Sequence, residues 1–161
     1  MIPEIAPQRL CKVIDGFAPA SVLCLGSAEA DLFDACRTML PDCRIETRER
    51  APSLQELETE TAHDLILVSG VLEGLPRAEG EQLIARLRDL GAPRLILALS
   101  PDAGWRISDL LALGLVVLGD LKMDDRRLRL FAFDIAAYKT TPDWLNSRYW
   151  AHPELWGKYW W

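Results

Sequence analysis

The first stretch of this chain able to do chemistry is Gly26-Ser27-Ala28, at the end of the run SVLCLGSAEA. Val22 to Leu25 form a short apolar run that reads as a buried strand. Gly26 breaks it, and from Ala28 the pattern turns helical. A strand, a glycine turn and a helix can aim backbone N–H groups at a ligand, as nucleotide-binding α/β units do. Other reactive groups are sparse. His63 and His152 are the two histidines, and neither has ligand spacing to another His or to a Cys. Cys11, Cys24, Cys36 and Cys43 form no C-x-x-C pair. Each falls in or beside an apolar pattern, as reduced core cysteines of a cytosolic protein do. There is no G-x-S-x-G elbow and no Walker A loop. Asp124 and Asp125 offer a carboxylate pair, or simply the residues of a tight turn. Arg126, Arg127 and Arg129 make the densest basic cluster, expected as a solvated strand edge.

Elements that would position these groups follow from periodicity. Leu10, Val13, Ile14 and Phe17 give a helix over 7–17. A strand covers Ser21 to Leu25, and a helix runs from Glu29 to Leu40, where Pro41 stops it. Cys43 to Thr47 is a weak strand, and Ser53 is a possible N-cap for a short helix. Asp64 to Ser69 and Arg94 to Leu99 are buried strands whose unbroken apolar runs suit a parallel sheet covered on both faces. Between them Leu83, Ile84, Leu87 and Leu90 point inward from a helix over 79–90, with Gly91 as its C′ residue. A helix from about Trp105 to Leu113 leads to a strand over 115–121, a turn at Met123, and a partner strand over 127–135. This last pair reads as an antiparallel hairpin.

The chain has 161 residues and a net charge of −6, with a sequence pI near 4.9. That balance argues against a protein that lives on nucleic-acid phosphates. The longest apolar run, Leu110 to Leu118, is too short to span a bilayer, and the first ten residues do not form a secretory signal. The expected location is the cytoplasm. Five of the six tryptophans fall in 141–161, set apart from a domain over 1–140. Large rings with N–H groups to satisfy read as packed on the domain. The other readings are a homodimer interface and a roof over a ligand pocket.

The order of strands and helices, closed by an antiparallel hairpin, resembles the class I S-adenosylmethionine-dependent methyltransferases. The likeness covers Ser21 to Tyr138, and HDLILVSGVLEGLP…EQLIARLRDLGAPRLILAL matches best. It implies a three-layer α/β, Rossmann-like, mostly parallel sheet; the short stretch between Glu46 and His63 has little room for the family's third strand, so a trimmed sheet of six strands ordered 2-1-4-5-7-6 in the family's numbering is expected. It implies S-adenosylmethionine as cofactor, held by Gly26, Ser27 and Ala28. Glu46 or Glu49 would take the ribose hydroxyls, and Ser69, Gly70 and Val71 would lie beside the cofactor. Glu73 matches a loop acid of the family. The family's first motif is acidic-x-Gly-x-Gly-x-Gly; here Cys24 replaces the acid, and Ala28 and Ala30 replace the second and third glycines. The whole chain, with its WLNSRYW…WGKYWW tail, also resembles a small group of short bacterial proteins. Two functions follow: a methyltransferase-like domain binding this nucleoside, or a non-catalytic relative acting in assembly through its aromatic tail.

Overall fold

The computed structural model describes residues 1–26, 30–59, 62–123, 126–138, 152 and 154. In chain order the elements are β1 (Glu4–Ile5), α1 (Pro7–Gly16), β2 (Ser21–Leu25), α2 (Ala30–Met39), β3 (Arg44–Arg48), α3 (Leu54–Thr59) and β4 (Leu65–Ser69). They continue with α4 (Arg77–Arg86), β5 (Arg94–Leu99), α5 (Ile107–Ala112), β6 (Val116–Lys122), β7 (Arg127–Asp134) and α6 (Ile135–Tyr138). The seven strands stand in the order β1-β6-β7-β5-β4-β2-β3. Strand β7 runs antiparallel to β5 and β6, and the other neighbours are parallel.

Alternation along the strands builds two cores. Val22, Cys24, Leu65, Leu67, Ile96, Leu128 and Leu130 face α1 and α2. Leu23, Leu25, Ile66, Val68, Leu95, Leu97, Phe131 and Phe133 face α3, α4 and α5. Both sides of β2, β4 and β5 are therefore sealed from water, and each fully buried Leu contributes roughly 1.5–3 kcal/mol. This is the three-layer, Rossmann-like arrangement that the resemblance implies, with the antiparallel hairpin in place.

Four details differ from the sequence expectations. The sheet gains β1, a two-residue strand parallel to β6, whose position is fixed by the Asp120 N–H donating to Pro3 O at 2.8 Å. A bulge at Gly119 admits it, since a Cβ there would meet Pro3 O and Ile5 at 2.6 Å. Next, α4 widens into a π-turn, Leu87–Gly91, in which the Ala92 N–H donates to Leu87 O. That turn swings Leu90 outward and lays Gly91 on Ile66, where a Cβ would come within 2.5 Å of Cδ1. Gly91 is thus a packing residue rather than a left-handed C′ residue. Then α5 starts after Trp105, whose ring lies against Gly80 and carries the Arg77 guanidinium 3.9 Å from its centroid.

The fourth correction concerns the basic cluster. Arg129 and Arg127 do not lie on a sheet edge, because β7 lies inside the sheet, and of the two only Arg127 is exposed to solvent. Both guanidiniums close on Asp120, which is only 1% exposed. Arg129 sits directly opposite it in the β6–β7 register and grips it with two bonds of 2.8 and 3.1 Å. The Arg129 hydrogen bonds hold the Asp120 carboxyl below the usual aspartate range. At the far side of the sheet, α3 starts with a reciprocal box. The Glu56 N–H donates to Ser53 Oγ at 3.2 Å, and the Ser53 N–H donates to the Glu56 carboxylate at 2.6 Å.

Because the folded-state pKa of Asp120 is depressed, the ion pair stabilises the fold above the unfolded carboxyl value and fades as pH falls through the folded one. Asp120→Asn is expected to cost about 2 kcal/mol at neutral pH, since it strands Arg129. The gap from wild type should narrow below about pH 4. Urea denaturation of both proteins across that range measures it.

Candidate functional site

Ligands of open α/β sheets bind where the connections of neighbouring strands part to opposite faces, at the carboxyl ends. Here that point lies between β2 and β4. The chain leaves β2 for α2 on one face and leaves β4 for α4 on the other.

The two strand ends almost touch. Gly26 has φ +110°, and a Cβ on it would fall 1.7 Å from Ser69 O and 3.2 Å from Val71 Cγ2. Only glycine combines that backbone angle with that proximity. The Gly26 N–H donates to Arg48 O at 2.8 Å, which ties the end of β3 into the same place. Gly70 follows Ser69 with φ +74° and turns the chain into a single 3-10 turn, Leu72–Gly74. Leu72 is buried and anchors that turn in the core.

Ser69 is the polar residue of this edge. It continues the Leu65, Leu67 alternation and pairs with Ala98 of β5. Its side chain is buried, with 1% of the residue exposed, and among the described residues Oγ has no hydrogen-bond partner. Leaving a buried hydroxyl unpaired costs on the order of 1–3 kcal/mol, which makes Ser69 the energetically exposed point of this edge. Cys24, in the motif's acidic position, supplies no charge, because burial pushes its thiol up to about 12.

The two candidate ribose acids separate. Glu46 is the third residue of β3, opposite Leu23, and its carboxylate accepts from Arg48 Nε at 2.6 Å. Its other oxygen lies 3.5 Å from Nε2 of His63, a buried histidine. The Arg48 hydrogen bond holds the Glu46 carboxyl below the usual glutamate range. Glu46 is thereby engaged about two residues, roughly 7 Å, short of the strand's end. Glu49 follows the last residue of β3, exposed and level with Gly26. The structure thus brings together Gly26, Ser69, Gly70, Val71 and the start of Glu49, and sets Glu46 apart.

Glu73 spans the neighbouring loops, its Oε1 accepting from the Ser100 N–H at 3.4 Å. His152 is exposed, with Nδ1 3.0 Å from Glu154 Oε1. Ser27, Ala28, the Asp124–Asp125 pair and the tail tryptophans lie outside the described residues. Among the described residues no three His, Cys, Asp or Glu side chains are grouped to hold a metal ion. None of the described helices is long and apolar enough to cross a membrane. Sequence reading passed over the His63–Glu46 contact, because a lone histidine ahead of an apolar run carries no spacing signal.

The chain belongs to a family of unknown function, DUF6231, whose profile matches residues 5–161. No curated protein matches it. Among solved structures it resembles magnesium protoporphyrin IX methyltransferase from Synechocystis with bound SAM, with a TM-score of 0.54 and 16% identity over 78% of this chain and 76% of that one. An O-methyltransferase family protein from Burkholderia thailandensis gives 0.52 and 14%, over 79% of this chain and 55% of that one. Human N-acetylserotonin methyltransferase in complex with SAM gives 0.52 and 12%, over 80% and 51%. The chain spans about half the length of the latter two. At these identities the likeness establishes the methyltransferase-type fold.

The edge geometry has opposite consequences at its two central residues. Gly26→Ala should cost roughly 2–4 kcal/mol, through the forced φ and the collision with Ser69. Ser69→Ala should be neutral or stabilising by about 1 kcal/mol, because it deletes an unpaired hydroxyl. Denaturant midpoints of the two variants check both signs.

Proposed function

We propose that this member of the family binds S-adenosylmethionine in the crevice between β2 and β4 and transfers its methyl group to an acceptor. The observation that carries the reading is the buried, unpartnered Ser69 hydroxyl beside the Gly26 approach, at the switch point of a methyltransferase-type sheet. SAM bound to structural relatives of the same fold supports it.

The residues present fit such a ligand. Gly26 lets the Ser69 carbonyl pack against it, so the two strand ends close into one backbone floor. Ser69 Oγ offers a donor and acceptor already stripped of water, for which a polar ligand group would be the missing partner. Glu49 offers a carboxylate at the edge, suited to two hydroxyl donors of a ribose. The Glu73–Ser100 bond fixes the loops after β4 and β5 against each other, which keeps the rim preorganised. A bound sulfonium supplies an electrophilic methyl group. The chain's task is then alignment and exclusion of water, and a dedicated acid–base pair is unnecessary.

Calorimetric titration of the purified protein with S-adenosylmethionine and S-adenosylhomocysteine tests the reading. Saturable micromolar binding is expected. Glu49→Ala and Ser69→Ala should each weaken it about tenfold, which corresponds to about 1.4 kcal/mol. Glu46→Ala should leave affinity unchanged, and Ala28→Gly should tighten binding by admitting the ligand closer. Absence of heat and of thermal stabilisation at millimolar ligand would overturn the proposal.

A further inference from the structure

All four cysteines of the chain gather on one side of the sheet. Cys11, Cys24 and Cys36 are buried in the core that faces α1 and α2, and Cys43 packs against it. Two of them meet. Cys11 stands in α1 and Cys36 in α2, 25 residues apart in sequence, and their Sγ atoms lie 3.8 Å apart. Both residues are buried, and both are free thiols. A disulfide bond is about 2.05 Å long, so the two sulfurs have roughly 1.8 Å to close. Helices α1 and α2 pack side by side, and side-chain rotation with a slight approach of the two supplies a closure of that size.

We propose that Cys11 and Cys36 form a redox-sensitive staple, a disulfide that closes under hydrogen peroxide and fixes α1 to α2. The Cys11 thiolate attacks one peroxide oxygen. An S–O bond forms, the O–O bond breaks, and the released hydroxide takes up a proton as water. The Cys36 sulfur then attacks the Cys11 sulfenic sulfur. The S–S bond forms, the S–O bond breaks, and the leaving hydroxide takes the Cys36 proton as a second water. In sum two thiols lose two electrons and two protons, and one peroxide becomes two waters.

The fold holds this chemistry back until α1 lifts. Burial and the neighbouring Cys11 thiol push the Cys36 thiol well up, so little thiolate forms in the closed core. Helix α1 is lightly fastened. Its N-cap residue, Ala6, makes no side-chain cap bond, its first turn holds no acid and its last turn no base. It buries Leu10, Cys11 and Ile14, and the strand before it has two residues. Local opening of such a unit costs less than unfolding the sheet, and it carries Cys11 into water. Reclosing returns Cys11 to contact with Cys36. The disulfide then encloses β2, the Gly26 turn and the first part of α2 in one covalent loop and shuts the opening.

Treatment of the full chain with millimolar hydrogen peroxide tests the proposal. The free-thiol count should fall from four to two, and the intact mass should drop by about 2 Da. A non-reducing peptide map should show Cys11 joined to Cys36. Amide exchange in α1 should then slow about tenfold while β4 exchanges as before, and dithiothreitol should restore both mass and exchange. Cys36→Ala should abolish the cross-link and the slowing, whereas Cys43→Ala should change neither. Three results on the wild type would overturn the proposal: no loss of thiols or mass, a link that runs through Cys24 or Cys43 instead, or a Cys11–Cys36 link that leaves exchange in α1 unchanged.

Discussion

A sheet sealed on both faces leaves almost no place for a polar side chain, and this constraint governs the molecule. Among the described residues four polar side chains lie inside it: Ser21, His63, Ser69 and Asp120. Ser21 is satisfied locally, since its Oγ accepts from the Asp64 N–H and its own N–H donates to the Asp64 carboxylate. Asp120 is neutralised by two arginines. His63 has a carboxylate at 3.5 Å. Ser69 alone of the four has neither a hydrogen bond nor a charged neighbour, and it sits where the fold parts its connections. The three partnered groups and Ser69 are judged by one rule, that a buried polar group is costly until it is paired.

That constraint also explains what was legible beforehand. Strands β2, β4 and β5 announce themselves because two-sided burial demands unbroken apolar runs. Strand β7 announces itself because Leu128, Leu130 and Ala132 alternate with Phe131 and Phe133 between two different cores. The order of six strands was implied by the family resemblance, and the sheet keeps it. Strand β1 was invisible because two residues carry no period. The π-turn was invisible because the contact that goes with it, Gly91 on Ile66, joins residues far apart in sequence. The basic cluster misled for a similar reason: Arg129 meets Asp120 only once the hairpin register is known.

At the candidate site the same division holds. Gly26 was legible from a strand broken by a glycine, and the structure adds the reason, a carbonyl lying where a Cβ would be. Glu46 and Glu49 were indistinguishable in sequence, being three residues apart among arginines. Register separates them, because Glu46 pairs with the middle of β2 and Glu49 lies beyond its end. Strand β3 is also the sheet's outer edge on that side. Its RIETR sequence surrounds Ile45 with charge and so discourages further strand pairing.

The pairing of β1 with β6 bears on how the chain is made. Glu4 and Ile5 leave the ribosome well before their partners, Asp120 and Leu121. Contacts this distant in sequence form late, because the loop between them must be ordered first. During synthesis the N-terminal strand therefore waits, unpaired, while β2, β4 and β5 assemble by shorter connections. When the hairpin arrives, β1 is the last plank laid, and it joins the two ends of the described fold into one sheet.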